Sequence, residues 1–189
     1  MDGLGGMIRH GMWRTGLALS LLMLWSGVAN AATGPQVSTA EFVEAVFNPG
    51  RPSMRVLSLD ANQREQAQAV RGLPFDRSKV LYWTDGERTA WVLNEIGKTK
   101  PITIGIVVRN QTIESVQVLA FRESRGGEVR YGFFTDQFSG LSLQMDRRLS
   151  GTVDGITGAT LSVRAVKTAA RLALWLDAQA SGVSIARAS

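Results

Sequence analysis

From residue 80 to residue 121 the chain changes to β-rich runs separated by turn signals, and that constrains the fold more than any other stretch. Residues 80–84 and 89–93 are rich in β-branched and aromatic side chains and flank Asp85-Gly86, a pair that tolerates the positive φ of a tight hairpin turn. Ile102, Ile104, Ile106 and Val108 then alternate over one face, and Asn110-Gln111 turns the chain into 113–121, rich in Val, Leu and Ile. Two antiparallel strand pairs are predicted.

Helical patterns lie on both sides of this stretch. Ser38-Thr39-Ala40-Glu41 is a capping box, in which the Ser and Glu side chains each satisfy a free backbone N–H at a helix start. Phe42, Val43, Val46 and Phe47 give that helix an apolar face, and Asn48-Pro49-Gly50 stops it, because proline cannot continue the hydrogen-bond ladder. A short extended piece is expected around 54–59, then a polar helix over 62–71 ending at Gly72. After the strands, 124–131 is polar and glycine-containing, and 133–138 is an aromatic short helix or turn. The clearest helix spans 161–178, with Val163, Val166, Ala170, Ala173 and Leu174 on a packed stripe and Arg164, Lys167 and Arg171 on a solvated one. Trp83, Trp91 and Trp175 are read as core or interface residues. The order predicts an α+β domain: antiparallel strands with flanking helices, and a long C-terminal helix.

The first residues point to export. Arg9 and Arg14 precede an apolar stretch over 17–25, and Val28-Ala29-Asn30-Ala31 supplies the small-x-small pattern of a cleavage site. A signal peptide over 1–31 is expected, with an uncleaved membrane anchor as the competing reading; Trp25-Ser26-Gly27 interrupts the apolar run where an anchor would continue. The remaining chain of about 158 residues suits a single domain. Within it, 32–96 holds the N-terminal helices and first strand pair, 97–180 the core that carries the chemistry, and 181–189 a patternless tail.

Composition then removes function classes. The chain has no cysteine, so thiolate metal sites and iron–sulfur clusters are excluded, and its single histidine, His10, leaves with the signal segment. His-based triads and His metal ligation go with it. No block of Lys or Arg marks a nucleic-acid surface, and removal of Asp2, Arg9 and Arg14 lowers the formal charge of +5 by one.

The informative segment is Asp154-Gly155-Ile156-Thr157-Gly158-Ala159-Thr160-Leu161-Ser162, between a strand-like stretch and the last helix. Its glycines let the backbone turn sharply and approach a ligand, and the helix start offers N–H groups and a positive dipole end to a phosphate. Gly-Ala-Thr alone is common, and a Thr opening a helix is more often an N-cap than a modified residue.

In full, the segment resembles the flavinylation signal of the FMN-binding domain family, which includes the covalent-flavin subunits of the sodium-pumping NADH:quinone reductase and of the Rnf complex. That signal runs Asp, two or so residues, Ser or Thr, then Gly-Ala-Thr; Asp154, Thr157, Gly158, Ala159 and Thr160 match it in order. The resemblance extends upstream through Gly97-Lys98-Thr99-Lys100-Pro101, the acid Glu123 and the aromatic run Phe134 to Phe138 with Ser139-Gly140. It departs at Ser124-Arg125-Gly126-Gly127, where members often carry Thr-Pro-Gly-x-Gly.

The resemblance implies FMN joined through its phosphate to Thr160 by an exported, metal-dependent flavin transferase that uses FAD. Asp154, Gly155, Thr157, Gly158, Ala159, Leu161, Ser162 and Glu123 are its expected surroundings, with no catalytic side chain and no resident metal. With no dinucleotide fingerprint in the chain, an electron-relay flavoprotein is expected rather than a self-sufficient enzyme. It would be periplasmic or otherwise extracytoplasmic and work with a membrane reductase or cytochrome. The alternative is a non-catalytic flavin- or ligand-binding module of an exported or membrane-associated complex.

Overall fold

A computed structural model describes residues 36–182. The expected signal segment over 1–31 and the tail beyond 182 lie outside the described residues.

Five strands form one antiparallel meander in the order β1-β2-β3-β4-β5. They are β1 (Ser53–Ser58), β2 (Lys79–Thr84), β3 (Arg88–Ile96), β4 (Pro101–Arg109) and β5 (Thr112–Ala120). The two expected pairs are present, and β1 adds a full edge strand where only a short extended piece is predicted. Its exposed residues show no in-out alternation, so periodicity cannot reveal it. Because β3 and β4 pair along their whole length, segments 32–96 and 97–180 share one sheet.

The turns follow local chemistry. Asn110 and Gln111 take φ of 51° and 60°, so they make a two-residue hairpin turn whose twist suits the strands. The turn at Asp85-Gly86 spans 85–88, the stretch left between the expected strand ends, with Thr84 paired to Thr89. Asp85 Oδ1 accepts from the Glu87 and Arg88 N–H groups at 3.0 and 2.8 Å, so the carboxylate takes the place of the closing backbone carbonyl.

Helices cover both sheet faces. The capping box at Ser38 and Glu41 starts α1 (Thr39–Phe47), and a second one, at Asp60 and Gln63, starts α2 (Ala61–Arg71). On one face α1 buries Phe42, Val43 and Phe47 against Ala90, Val107 and Leu119. Gly105 of β4 is the seat of Phe42, since a Cβ there would stand 2.6 Å from its ring. That explains why β4 is buried on both sides instead of alternating.

The other face carries the main core, where the long α4 (Thr160–Ser181) lies across the sheet, chiefly on β3 and β4, and α2 packs along α4. Trp91 is fully buried there, stacked on Tyr82 at 4.7 Å, and Trp175 is buried in α4. Glu95 of β3 is also buried, held by Arg71 through contacts of 2.8 and 3.0 Å. Such a pair ties the end of α2 to the sheet, because an unpartnered carboxylate could not stay there. The long helix is buried more completely than a two-stripe pattern predicts. From Ala165 to Ala178 only Lys167 and Arg171 escape full burial, because its many alanines let sheet and α2 approach closely. Ser181 remains helical, and Gly182 caps the helix at φ 65°.

Candidate functional site

The segment before α4 is not a strand. Residues 142–150 fold into a small loop closed by a Leu143–Leu149 bridge, and 151–159 is irregular backbone pinned at its two ends. Val153 is buried in the core, its carbonyl accepts from Lys167 Nζ at 2.6 Å, and the Asp154 N–H donates to Gln137 Oε1 at 2.7 Å. Gln137 belongs to the aromatic run, whose Phe134 and Phe138 are fully buried edge to face at 5.5 Å. That run, a helical turn α3 (Gly132–Thr135) followed by a 3-10 turn, therefore positions the motif from inside the core.

At the other end, the Ala159 N–H donates to the Ile156 carbonyl at 3.0 Å, closing a four-residue turn with Gly158 at φ 81°. Glycine is required there because L side chains rarely adopt that conformation, not because a Cβ would clash, since nothing lies within 4 Å of the position. At Gly155 φ is unexceptional and the space open, so that glycine carries no such constraint. Ala159 and Ser162 are buried against Gly126, where an added Cβ would fall 2.6 Å from Ser162 Oγ and 3.4 Å from Ala159. The departure at Ser124-Arg125-Gly126-Gly127 thus supplies the surface on which the motif rests.

Between these anchors Thr157, Gly158, Thr160 and Leu161 are exposed. The N-cap position belongs to Ala159, with no side-chain cap hydrogen bond, and Thr160 is the first helical residue. Its hydroxyl is therefore not spent as a cap, and the first-turn N–H groups, which have no intrahelical acceptor, lack a capping side chain. Thr160 stands on the wall of an open groove of about 920 Å³ that runs along α4, with Arg148, Arg164, Lys167 and Arg171 among its walls and no carboxylate among the described residues that line it. An exposed hydroxyl, uncapped N–H groups and a cationic groove fit a phosphate ester with a large ring attached.

Glu123 stands apart from this arrangement. Its carboxylate accepts from the Thr99 and Lys100 N–H groups at 2.6 and 2.8 Å and from Thr99 Oγ1 at 3.2 Å, closing the β3–β4 turn. The Lys100 and then the Thr99 N–H groups hold it below the usual carboxylate range. Arg164, Lys167 and Arg171 line the groove although in the sequence they form a stripe at helical spacing that reads as a solvated face.

Residues 97–175 match the model of the FMN-binding domain family. Over that stretch the chain is similar to an FMN-binding domain. The match begins at Gly97, in the turn held by Glu123, and ends inside α4 at Trp175. Among solved structures, one component of the Na+-translocating NADH-quinone reductase of Parabacteroides distasonis is similar at 16% identity, with a TM-score of 0.45 over 66% of this chain and 77% of that one. Comparison with curated protein sequences gives no match.

Proposed function

We propose that this FMN-binding domain is an exported electron carrier that holds FMN through a phosphoester to Thr160. The observation that carries the reading is the state of Thr160: exposed, first in α4, free of a capping role, and set between the buried anchors Ala159 and Ser162. A transferase needs a hydroxyl it can reach on backbone that stays in place, and this turn supplies both. The ester would join Thr160 Oγ to the FMN phosphate, with AMP leaving from FAD and the hydroxyl proton passing to a base of the transferase. Bound there, the isoalloxazine supplies one- and two-electron chemistry while the protein supplies position and electrostatics.

The partners this reading implies are the transferase for maturation and a membrane reductase or cytochrome for turnover, in an extracytoplasmic compartment. Intact mass of the protein coproduced in bacteria with an exported flavin transferase tests it. The expected mass is that of a chain starting at Ala32 plus one esterified FMN. An unmodified mass, alongside a control substrate that is modified, would remove the covalent reading. Yellow colour that is lost on denaturation would favour the plain flavin-binding module instead.

A further inference from the structure

We propose that the groove along α4 is the berth of the flavin ring, and that Lys167 and Arg171 draw its reduction potential upward by neutralising the reduced ring. The inference deepens the reading of Thr160 and rests on it. Thr160, Arg164, Lys167 and Arg171 follow one another at helical spacing, so they share a stripe along the groove. By helix rise Lys167 stands about 10 Å and Arg171 about 16 Å beyond Thr160, the reach of a ribityl chain with a three-ring system laid along the helix. Leu149, Ile156 and Val163 give the groove apolar walls for a flat ring, and none of the described residues that line it is a carboxylate.

The two deeper cations are underused by the protein itself. Among the described residues Arg171 Nε is buried with no hydrogen-bond partner, and its Nη2 reaches only Thr168 Oγ1, at 3.3 Å. An orphaned guanidinium N–H costs desolvation unless something accepts from it. Lys167 Nζ has Val153 O as its partner, which leaves donors to spare. Neither has an ion pair among the described residues. The carbonyl-bearing edge of an isoalloxazine offers the acceptors both lack. A ring held there that took up two electrons from a reduced donor and one proton at N5 would carry one negative charge, spread over N1 and the C2 carbonyl. Cations at that edge therefore bind the reduced ring better than the oxidised one, which raises the potential.

Spectroelectrochemical titration with dithionite-reduced mediator dyes tests this on flavinylated wild type, Lys167→Gln and Arg171→Gln, with intact mass confirming the cofactor in each. Each variant is expected to lose about tenfold in preference for the reduced ring, a downward shift of about 30 mV for a two-electron couple. Arg171→Lys should recover part of it, and Arg164→Gln, at the exposed rim, should shift less. Flavinylated, folded variants with the wild-type potential would overturn the assignment. If wild type carries no covalent FMN, the Thr160 reading fails by itself and free FMN becomes the probe: tenfold weaker binding to Arg171→Gln upholds the groove, and equal binding overturns it.

Discussion

The two ends of α4 are built on opposite terms. At its start, Thr160 and Leu161 are exposed, the N-cap is an alanine, and the neighbouring groove is cationic. About 26 Å away along the same helix, Asp177 is buried with both oxygens engaged, accepting from Thr89 Oγ1 at 2.5 Å and from Gln111 Nε2. Thr89 accepts in turn from Trp91 Nε1 at 2.8 Å, so the far end is locked to the sheet through a closed polar network. The helix is anchored where its polar groups are satisfied and left open where they are not. The attachment proposed at Thr160 would need that asymmetry: the hydroxyl must be reachable, while the backbone behind it must not move.

The contrast breaks most sharply under substitution at the open end. Thr160→Ala should abolish covalent flavin completely and leave thermal stability within about 0.5 kcal/mol, because the side chain is exposed and caps nothing. Thr160→Ser should keep some attachment, and Thr157→Ser should keep all of it. Intact mass and a thermal melt on the same samples measure both quantities. A Thr160→Ala protein that retains denaturation-resistant flavin would place the ester elsewhere.

The locked end should respond in the reverse way. Trp175 is buried in the main core, so Trp175→Ala should cost about 3–5 kcal/mol in chemical denaturation. Whatever fraction stays folded should still be flavinylated, since the attachment turn does not depend on that side chain. Loss of attachment in a fully folded Trp175→Ala protein would show that the two ends are coupled.

How much of this is legible in the sequence depends on the range of the interaction that decides it. The box at Ser38 and Glu41 and the turn at Asn110-Gln111 are decided within four residues, and both are readable from the sequence. The box at Asp60 and Gln63 is equally local and is there to be read. Gly105 as the seat of Phe42 and Glu123 as the clasp of the β3–β4 turn depend on partners brought together only by the fold. The motif itself is legible as a pattern, but its two anchors are not. Gln137 and Gly126 reach it from earlier segments, and no spacing rule connects them. Lys167 and Arg171 read as a solvated stripe because a helical wheel cannot show the loop carrying Arg148, which lines the same groove.

A finer test of the open end is Gly158→Val. The left-handed φ of 81° there disfavours a β-branched residue by about 1–2 kcal/mol, while the open space around it leaves the fold itself intact. Attachment should fall far more than stability does, because the turn that presents Thr160 is what gets distorted. Normal flavinylation of Gly158→Val in a co-expression assay would mean that the transferase reshapes the turn when it binds, and that the pinned backbone is not what it reads.

The smallest effect is expected at Asp177, and its sign is what matters. Burial pushes the Asp177 carboxyl above the usual carboxylate range, against the opposing effect of the Thr89 hydrogen bond. The folded protein then holds this proton to higher pH than the unfolded chain does, so the group's contribution is fully present below the unfolded value and is lost as pH rises through the folded one. Arg51, Arg55, Asp85 and Glu87 line the same cavity of about 840 Å³ and keep its mouth polar in charge balance. Asp177→Asn keeps an acceptor for Thr89 and can pair with a flipped Gln111 amide, so stability near neutral pH should change by no more than about 1 kcal/mol. What the substitution should remove is the downward slope of stability with pH just above the ordinary aspartate range. Denaturant midpoints measured across that range would show it: parallel curves for wild type and Asp177→Asn would mean that Asp177 titrates normally, and that the locked end of the helix is less dry than its packing indicates.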